Sequence, residues 1–313
     1  MQILPENYWA KLKHDRDVSG KSVVVDWMPL EFHLTDVAVT FEALLNSGYS
    51  KVLGNLLGKN DLTEIEKKRL TVLAFLHDLG KFNYSFQWNM LRSSDCKSPP
   101  LTTGHQREAC FFLSKSVEDK SAKISFERHL RLVEMIGWFQ SQQSGVLSGS
   151  QLERMFIAAF MHHGWQSPDD LQKIKADTRF YARVMWSKPL KGKPDISYLN
   201  FDNAIQNLAG IISEHWGEAY DDSDPMDASP EFMREFNGIL NLADWIGSNQ
   251  NRFIFWHDQA KFQSRHDFAK EAVNRFLDGS GLLWKSEELE FKNIFGFDRN
   301  PLQSTIFELT HDL

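Results

Sequence analysis

The chain has 313 residues, 35 of them basic and 42 acidic, a formal charge of −7 and 42% apolar residues. A chain of this length makes one large domain or two small ones and buries enough surface to need no disulfide staples. Its two cysteines, Cys96 and Cys110, form no CxxC pair, which argues against a disulfide scaffold and a cysteine-built zinc site. The longest strictly apolar run, residues 155–161, is far short of a membrane span, and the first fifteen residues lack the apolar core of a signal peptide. The expectation is a cytoplasmic protein with no membrane partner. Its acidic balance restricts any nucleic-acid contact to a local patch or to bound metal ions.

In chain order, a strand is predicted at 22–26 and a helix at 31–47, entered through Pro29 and left at Gly48. The helix predicted over 63–79 has a T-x-x-E capping box at Thr63 and Glu66 and an apolar stripe of Val72, Leu73, Leu76 and Leu79. Gly80 then stands where a helix C-terminus favours glycine. Further helices are expected at 105–118, 127–140, 151–163, 169–187, 201–216, 230–247 and 267–278. Ser229 and Pro230 serve as cap and first-turn residue of the helix at 230–247. A second strand is expected at 289–297. The fold class is therefore all-α with at most a minor β element.

Two stretches depart from the average. Residues 216–231 carry six acids, no base and two prolines, and read as a solvated loop. Residues 171–193 carry seven bases against one acid, with Phe180, Tyr181 and Trp186 among them. Such interleaving suits single-stranded nucleic acid, whose phosphates take charge and whose bases stack on rings. A helix with a basic solvent face and a buried aromatic stripe reads the same way.

The chemistry lies in histidines and aspartates. His77 and Asp78 are adjacent in HDLGK. His162 and His163 follow the apolar string FIAAFM and precede Gly164. His33 lies in PLEFHLTDVA, His105 follows Gly104, and Asp244 lies in NLADWIGSN. Buried groups of this kind need polar partners, and a metal ion is one such partner. Taken singly, each also has an ordinary structural reading. Adjacent histidines point about 100° apart on a helix, so His162 and His163 reach one ion only where the helix ends or distorts. A phosphate-binding loop is lacking: DRDVSGKS has Gly20-Lys21-Ser22 but Asp15 where the first glycine belongs.

Taken together, the ordered strings PLEFHLTDVA, FLHDLGKFNYSFQ, GHQREA, MHHGWQ and NLADWIGSN resemble the HD metal-dependent phosphohydrolase superfamily. They are most similar to the HD nuclease domain of CRISPR-associated type I nuclease–helicases. The resemblance implies an HD helical bundle over residues 1–285, with its metal-site core at 28–250. It implies one ion held by His33, His77, Asp78 and Asp244, and a second held by Asp78, His105, His162 and His163. Mixed imidazole and carboxylate ligands suit Mn, Fe, Co or Ni better than Mg. The resemblance also assigns catalytic roles to Asp78 and to Lys81 as a phosphate contact, and places Ser248 near the DNA backbone. Lys188, Lys191 and Lys193 are the expected single-strand contacts of the basic stretch. Residues 286–313, with Gln303 in NPLQ, resemble the segment that leads into a helicase; no ATP site is expected in this chain.

The function implied is hydrolysis of single-stranded DNA in CRISPR antiviral interference. The expected partners are a helicase domain, the CRISPR surveillance complex and a phage-encoded inhibitor. Two other readings stay open: a phosphohydrolase of small nucleotides, and a metal-bound docking module without turnover.

Overall fold

The computed structural model describes residues 5–91, 104–113, 120–140, 150–163, 186, 198–251, 253 and 264–280. The first described elements are two antiparallel strands, β1 (Trp9–Arg16) and β2 (Ser22–Pro29), paired from Trp9 opposite Pro29 to Arg16 opposite Ser22. Only the first part of β2 is legible in the sequence; the lysine-rich β1 is not. Gly20, at φ +81°, sits in the hairpin turn, where Asp17 Oδ1 accepts from the Ser19 and Lys21 amides. The Gly20-Lys21-Ser22 string is thus a β-turn and strand start, because only glycine adopts that φ without strain.

Helix α1 (Leu30–Leu44) begins directly after Pro29, and residues 33–41 are all buried. A helix enclosed on every side is the central element of its bundle. It runs through a π turn (Leu45–Tyr49), where Gly48 takes φ +124°, into α2 (Ser50–Leu56). Helix α3 (Glu64–Phe75) packs on α1. Its capping box is present in both directions: Glu66 N donates to Thr63 Oγ1 at 3.2 Å and Thr63 N to Glu66 Oε2 at 2.8 Å. A cap of this kind stabilises a helix by about 1 kcal/mol.

Helix α3 ends at Phe75 and not at 79, so the sequence expectation overshoots. The backbone tightens there into successive i→i+3 bonds, with His77 N on Ala74 O at 3.2 Å and Leu79 N on Leu76 O at 3.1 Å. A 3₁₀ turn (Leu79–Phe82) follows. The reason for Gly80 also differs from a helix C-cap. A Cβ at that position would lie 1.6 Å from the His105 carbonyl oxygen, so the glycine lets the His105 backbone pass against the HD turn.

Beyond α4 (Tyr84–Leu91), α5 (Gln106–Ala109) is short and gives way to a 3₁₀ turn (Cys110–Leu113). The single helix expected at 127–140 is broken. In its place stand α6 (Lys120–His129), α7 (Leu132–Met135) and a 3₁₀ turn (Ile136–Trp138). Arg131 takes φ +53° between them, its guanidinium 4.1 Å over the Tyr220 ring, while Tyr220 donates its hydroxyl to Leu130 O. Helix α8 (Gln151–Phe160), α9 (Phe201–Trp216), α10 (Pro230–Gly247) and α11 (Arg265–Ser280) complete the described elements. Ser229 Oγ caps α10 by accepting from Phe232 N, with Pro230 in its first turn. Helix α10 packs on α1 and α8, and α9 packs on α3 and α6. The expected helix at 169–187 (apart from Trp186) and the strand at 289–297 lie outside the described residues, as do residues 286–313. The chain divides into a compact unit Met1–Phe276 and a second unit Leu277–Leu313. Everything described here belongs to the first except residues 277–280.

Three packing features matter for function. Trp186 is fully buried, its ring centroid 4.5 Å from Phe112, which also stacks on Phe126 and Phe201. Each such buried ring stabilises the fold by roughly 2–3 kcal/mol, so Trp186 is core and not a free platform for a base. The acidic loop after α9 is tied down: the Arg69 guanidinium donates to the carbonyls of Ala219, Asp221 and Asp224. Finally, Arg265 of α11 makes a two-pronged ion pair with the buried Asp36 of α1, at 2.8 and 2.6 Å.

Candidate metal centre

Five segments converge on one buried carboxylate. His33 comes from α1, one turn before Asp36. His77 and Asp78 come from the turn that ends α3. His105 precedes α5, His162 and His163 follow the end of α8 at Phe160, and Asp244 lies in the last turn of α10. Because α8 stops two residues earlier, the two adjacent histidines leave the helical 100° spacing, and their ligand atoms approach that of His105 within 4.8 Å.

Asp78 is the hub. Its Oδ2 lies 3.0 Å from His33 Nε2 and 3.4 Å from His77 Nε2. Its Oδ1 lies 3.3 Å from His105 Nε2 and 3.7 Å from His162 Nε2. Asp244 Oδ1 closes the first side, 3.6 Å from His33 Nε2 and 3.8 Å from His77 Nε2. Ser248 Oγ donates to that same Asp244 oxygen at 2.9 Å, so its hydroxyl orients Asp244.

Neighbouring groups set the orientation of the rings. His77 donates Nδ1–H to Ala74 O at 2.8 Å, and His162 donates Nδ1–H to Ala159 O at 3.1 Å. A carbonyl only accepts, so each Nδ1 carries the proton and each Nε2 presents a lone pair to the centre. Phe86 packs edge-on to His105. Asn83 donates to the carbonyls of Gly80 and Gly104, and Glu108 accepts from Gly104 N, which fixes the approach to His105. The strings GKFNYSFQ and GHQRE therefore form one supporting layer.

The electrostatics favour cation binding. Burial pulls the His33 and His162 imidazoles down to about 3 and His105 down to about 4, so all three are neutral ligands at pH 7. Burial pushes Asp78 up, but Lys81 foremost, with His77, His105 and His33, holds it well below the usual carboxylate range. Lys81 Nζ lies 2.5 Å from Asp78 Oδ2. The residues present fit divalent metal binding on one direct observation. His77 Nε2, Asp78 Oδ1, His105 Nε2 and His162 Nε2 are all buried without a hydrogen-bond partner. Buried polar atoms left so are costly, and divalent cations ligated by these groups would satisfy them.

The structure thus gathers all seven residues singled out in the sequence, with Lys81 and Ser248. Lys188, Lys191 and Lys193 lie outside the described residues. One neighbour was not legible: Lys11 of β1, whose Nζ donates to Ser248 O at 3.2 Å. The alternation A-K-L-K marks Lys11 as a strand residue at most; nothing in the sequence brings it to α10.

A profile of the family described as "Cas3, HD domain" matches residues 9–253. Among solved structures, a CRISPR-associated protein aligns over 98% of this chain and 31% of its own length, at 19% identity and a TM-score of 0.54, which shows a shared fold. The chain thus spans about a third of that structure's length. The Thermus thermophilus cas3 HD domain, crystallised in the presence of Ni2+, aligns over 83% of this chain and 88% of its own, at 18% identity and a TM-score of 0.48. T. fusca Cas3 aligns over 96% of this chain and 30% of its own, at 17% identity and a TM-score of 0.49. No curated protein matches the chain.

Proposed function

The chain belongs to the Cas3 HD-domain family, and we propose that it is a metal-dependent nuclease that hydrolyses phosphodiesters of single-stranded DNA at a two-ion centre. The observation that supports this most is the division of Asp78: each of its oxygens faces a separate pair of histidines. On this reading His33, His77, Asp78 and Asp244 hold one ion, and Asp78, His105, His162 and His163 hold the other. Bound there, two divalent transition ions would leave the site locally positive within a −7 chain, acidify a water for attack and stabilise the charge of the phosphodiester.

The protein's own groups do the rest. The Ala74 and Ala159 carbonyls keep two imidazoles in the ligating tautomer. Ser248 holds the Asp244 carboxylate in place. Lys81 is nearly buried beside Asp78 and donates to a non-bridging phosphate oxygen, adding charge where the transition state gathers it. Family membership further suggests work beside a helicase, delivery of the strand by the CRISPR surveillance complex in the cytoplasm, and exposure to phage-encoded inhibitors. Among the described residues no helix is long and apolar enough to cross a membrane.

The test is incubation of the chain with circular single-stranded DNA in chelator, Mg, Mn, Co or Ni. The expected result is cleavage with a transition metal and none in chelator. Intact circles under every condition, or release of free nucleosides from nucleotides only, would overturn the nuclease reading.

A further inference from the structure

Resting on that nuclease reading, we infer that Lys11 is a second phosphate-contacting lysine, carried by β1 to the mouth of the metal centre beside Lys81. The fold ties the backbone segments that carry the two lysines to one buried side chain. Gln87, fully buried, donates Nε2–H to the carbonyls of both Trp9 and Lys81, at 2.9 and 2.8 Å, and accepts from Trp9 N at 3.1 Å. One amide therefore ties the start of β1 to the backbone of Lys81, and Lys11 follows two residues later.

The half-buried Lys11 ammonium is poorly supplied with partners. It has three donors, and its one described hydrogen bond goes to a neutral carbonyl, that of Ser248. Among the described residues no carboxylate lies within ion-pair distance of it. It nonetheless sits within the field of Asp78, Asp244, Asp36 and Lys81, the charged groups of the centre and its immediate surroundings. Two ammonium groups held near one another repel unless an anion lies between them. The carboxylates on hand are the ones the centre needs as metal ligands, or are paired with Arg265. A phosphate of the incoming strand supplies the missing anion, and Lys11 is placed on the Asp244 and Ser248 side to receive it.

The competing role is purely structural: a lysine capping the last carbonyls of α10. Lys11→Met keeps the alkyl stem and removes the charge; Lys11→Arg keeps the charge. Both variants of the full chain, loaded with Mn, are titrated with a labelled, cleavage-resistant phosphorothioate oligothymidine at several salt concentrations. Lys11→Met is expected to weaken binding about tenfold and to make the log–log salt slope shallower by about 0.7, with metal content and melting temperature as in the wild type. Lys11→Arg is expected to restore both. An unchanged slope, or weaker binding that goes with lost metal or a lowered melting temperature, overturns the assignment and leaves Lys11 as a cap. A wild-type chain that neither binds nor cleaves single strands overturns the nuclease reading itself. A competent wild type beside an unaffected Lys11→Met overturns only the role of Lys11.

Discussion

The two sides of Asp78 differ in chemistry and in depth: two imidazoles and a carboxylate face one oxygen, and a cluster of three imidazoles lies on the side of the other. On the Oδ2 side, His33 and His77 are all but fully buried between α1 and α3, and Asp244 closes the set from α10. On the Oδ1 side, His162 is fully buried, but the His105 side chain is 18% exposed and His163 is exposed. Two packed helices, α1 and α10, and the buried turn that ends α3 preform the first half, whereas turns after α8 and before α5 supply the second. Packing holds a helix residue in one rotamer far better than a turn holds an exposed ring. One half is thus an enclosed cage and the other a more open rim.

Asp78→Ala breaks the comparison outright, since it removes the carboxylate that both halves share. Metal-dependent cleavage should fall about a thousandfold or more, as measured by initial rates on single-stranded DNA. Lys81→Ala should cost less, because all seven candidate ligands remain. A Lys81 variant more damaged than the Asp78 variant would show that the carboxylate is not the hub.

Calorimetric titration with Mn sharpens the difference between the halves. The wild type should take up two ions in separable steps. Asp244→Asn should weaken the tighter step and His163→Ala the weaker one, each by at least about tenfold. Loss of the tighter step in His163→Ala would reverse the assignment of cage and rim.

Acid should also distinguish the buried rings in the metal-free chain. The folded pKa values of His33, His162 and His105, about 3, 3 and 4, lie below the ordinary value of 6.5. Between 6.5 and those values the unfolded chain binds the extra protons, so stability rises with pH across that window and is lost as pH falls through it. The loss should be on the order of a few kcal/mol per fully buried ring. Urea midpoints from pH 7 down to pH 4 measure it. Replacing His33 by Gln should flatten the decline.

The smallest expected effect concerns the basic stretch. Changing Lys188, Lys191 and Lys193 to Ala removes three candidate phosphate contacts and should lower the single-strand salt slope by about 2, with metal uptake untouched. An unchanged slope would assign the stretch to solvent, as Trp186 already is to the core.

How much of this was legible in the sequence depends on what each feature rests on. Helices α9 and α10 were readable to the residue, because Pro230 and Ser229 cap one and strong amphipathic periodicity defines both. The fold class followed from the same periodicity. The seven candidate ligands were readable as an ordered set of strings. Their geometry was not: the division of Asp78 between two histidine pairs depends on helices that end early at Phe75 and Phe160. Gly80 was noticed for a helix end, yet its requirement comes from His105, 25 positions away in the chain. Strand β1 escaped notice, and Lys11 with it, because its A-K-L-K alternation is only four residues long and gives way to the polar His14-Asp15-Arg16. The break at Arg131 is made by Tyr220, a tertiary partner that overrides local helix propensity.

The Arg265–Asp36 pair sets where this protein can be cut. The family match stops at residue 253, and an expression boundary drawn there would discard α11. Asp36 is wholly inside the protein, one helical turn from His33, and the lost guanidinium would leave its carboxylate without its direct ion-pair partner. Removing one partner of a buried pair costs about 3–5 kcal/mol, a large share of a typical domain's stability. A truncation at 253 should therefore melt early and bind metal poorly through a displaced His33, while one that extends through 280 retains both properties. The smallest autonomous fragment is longer than its recognisable sequence.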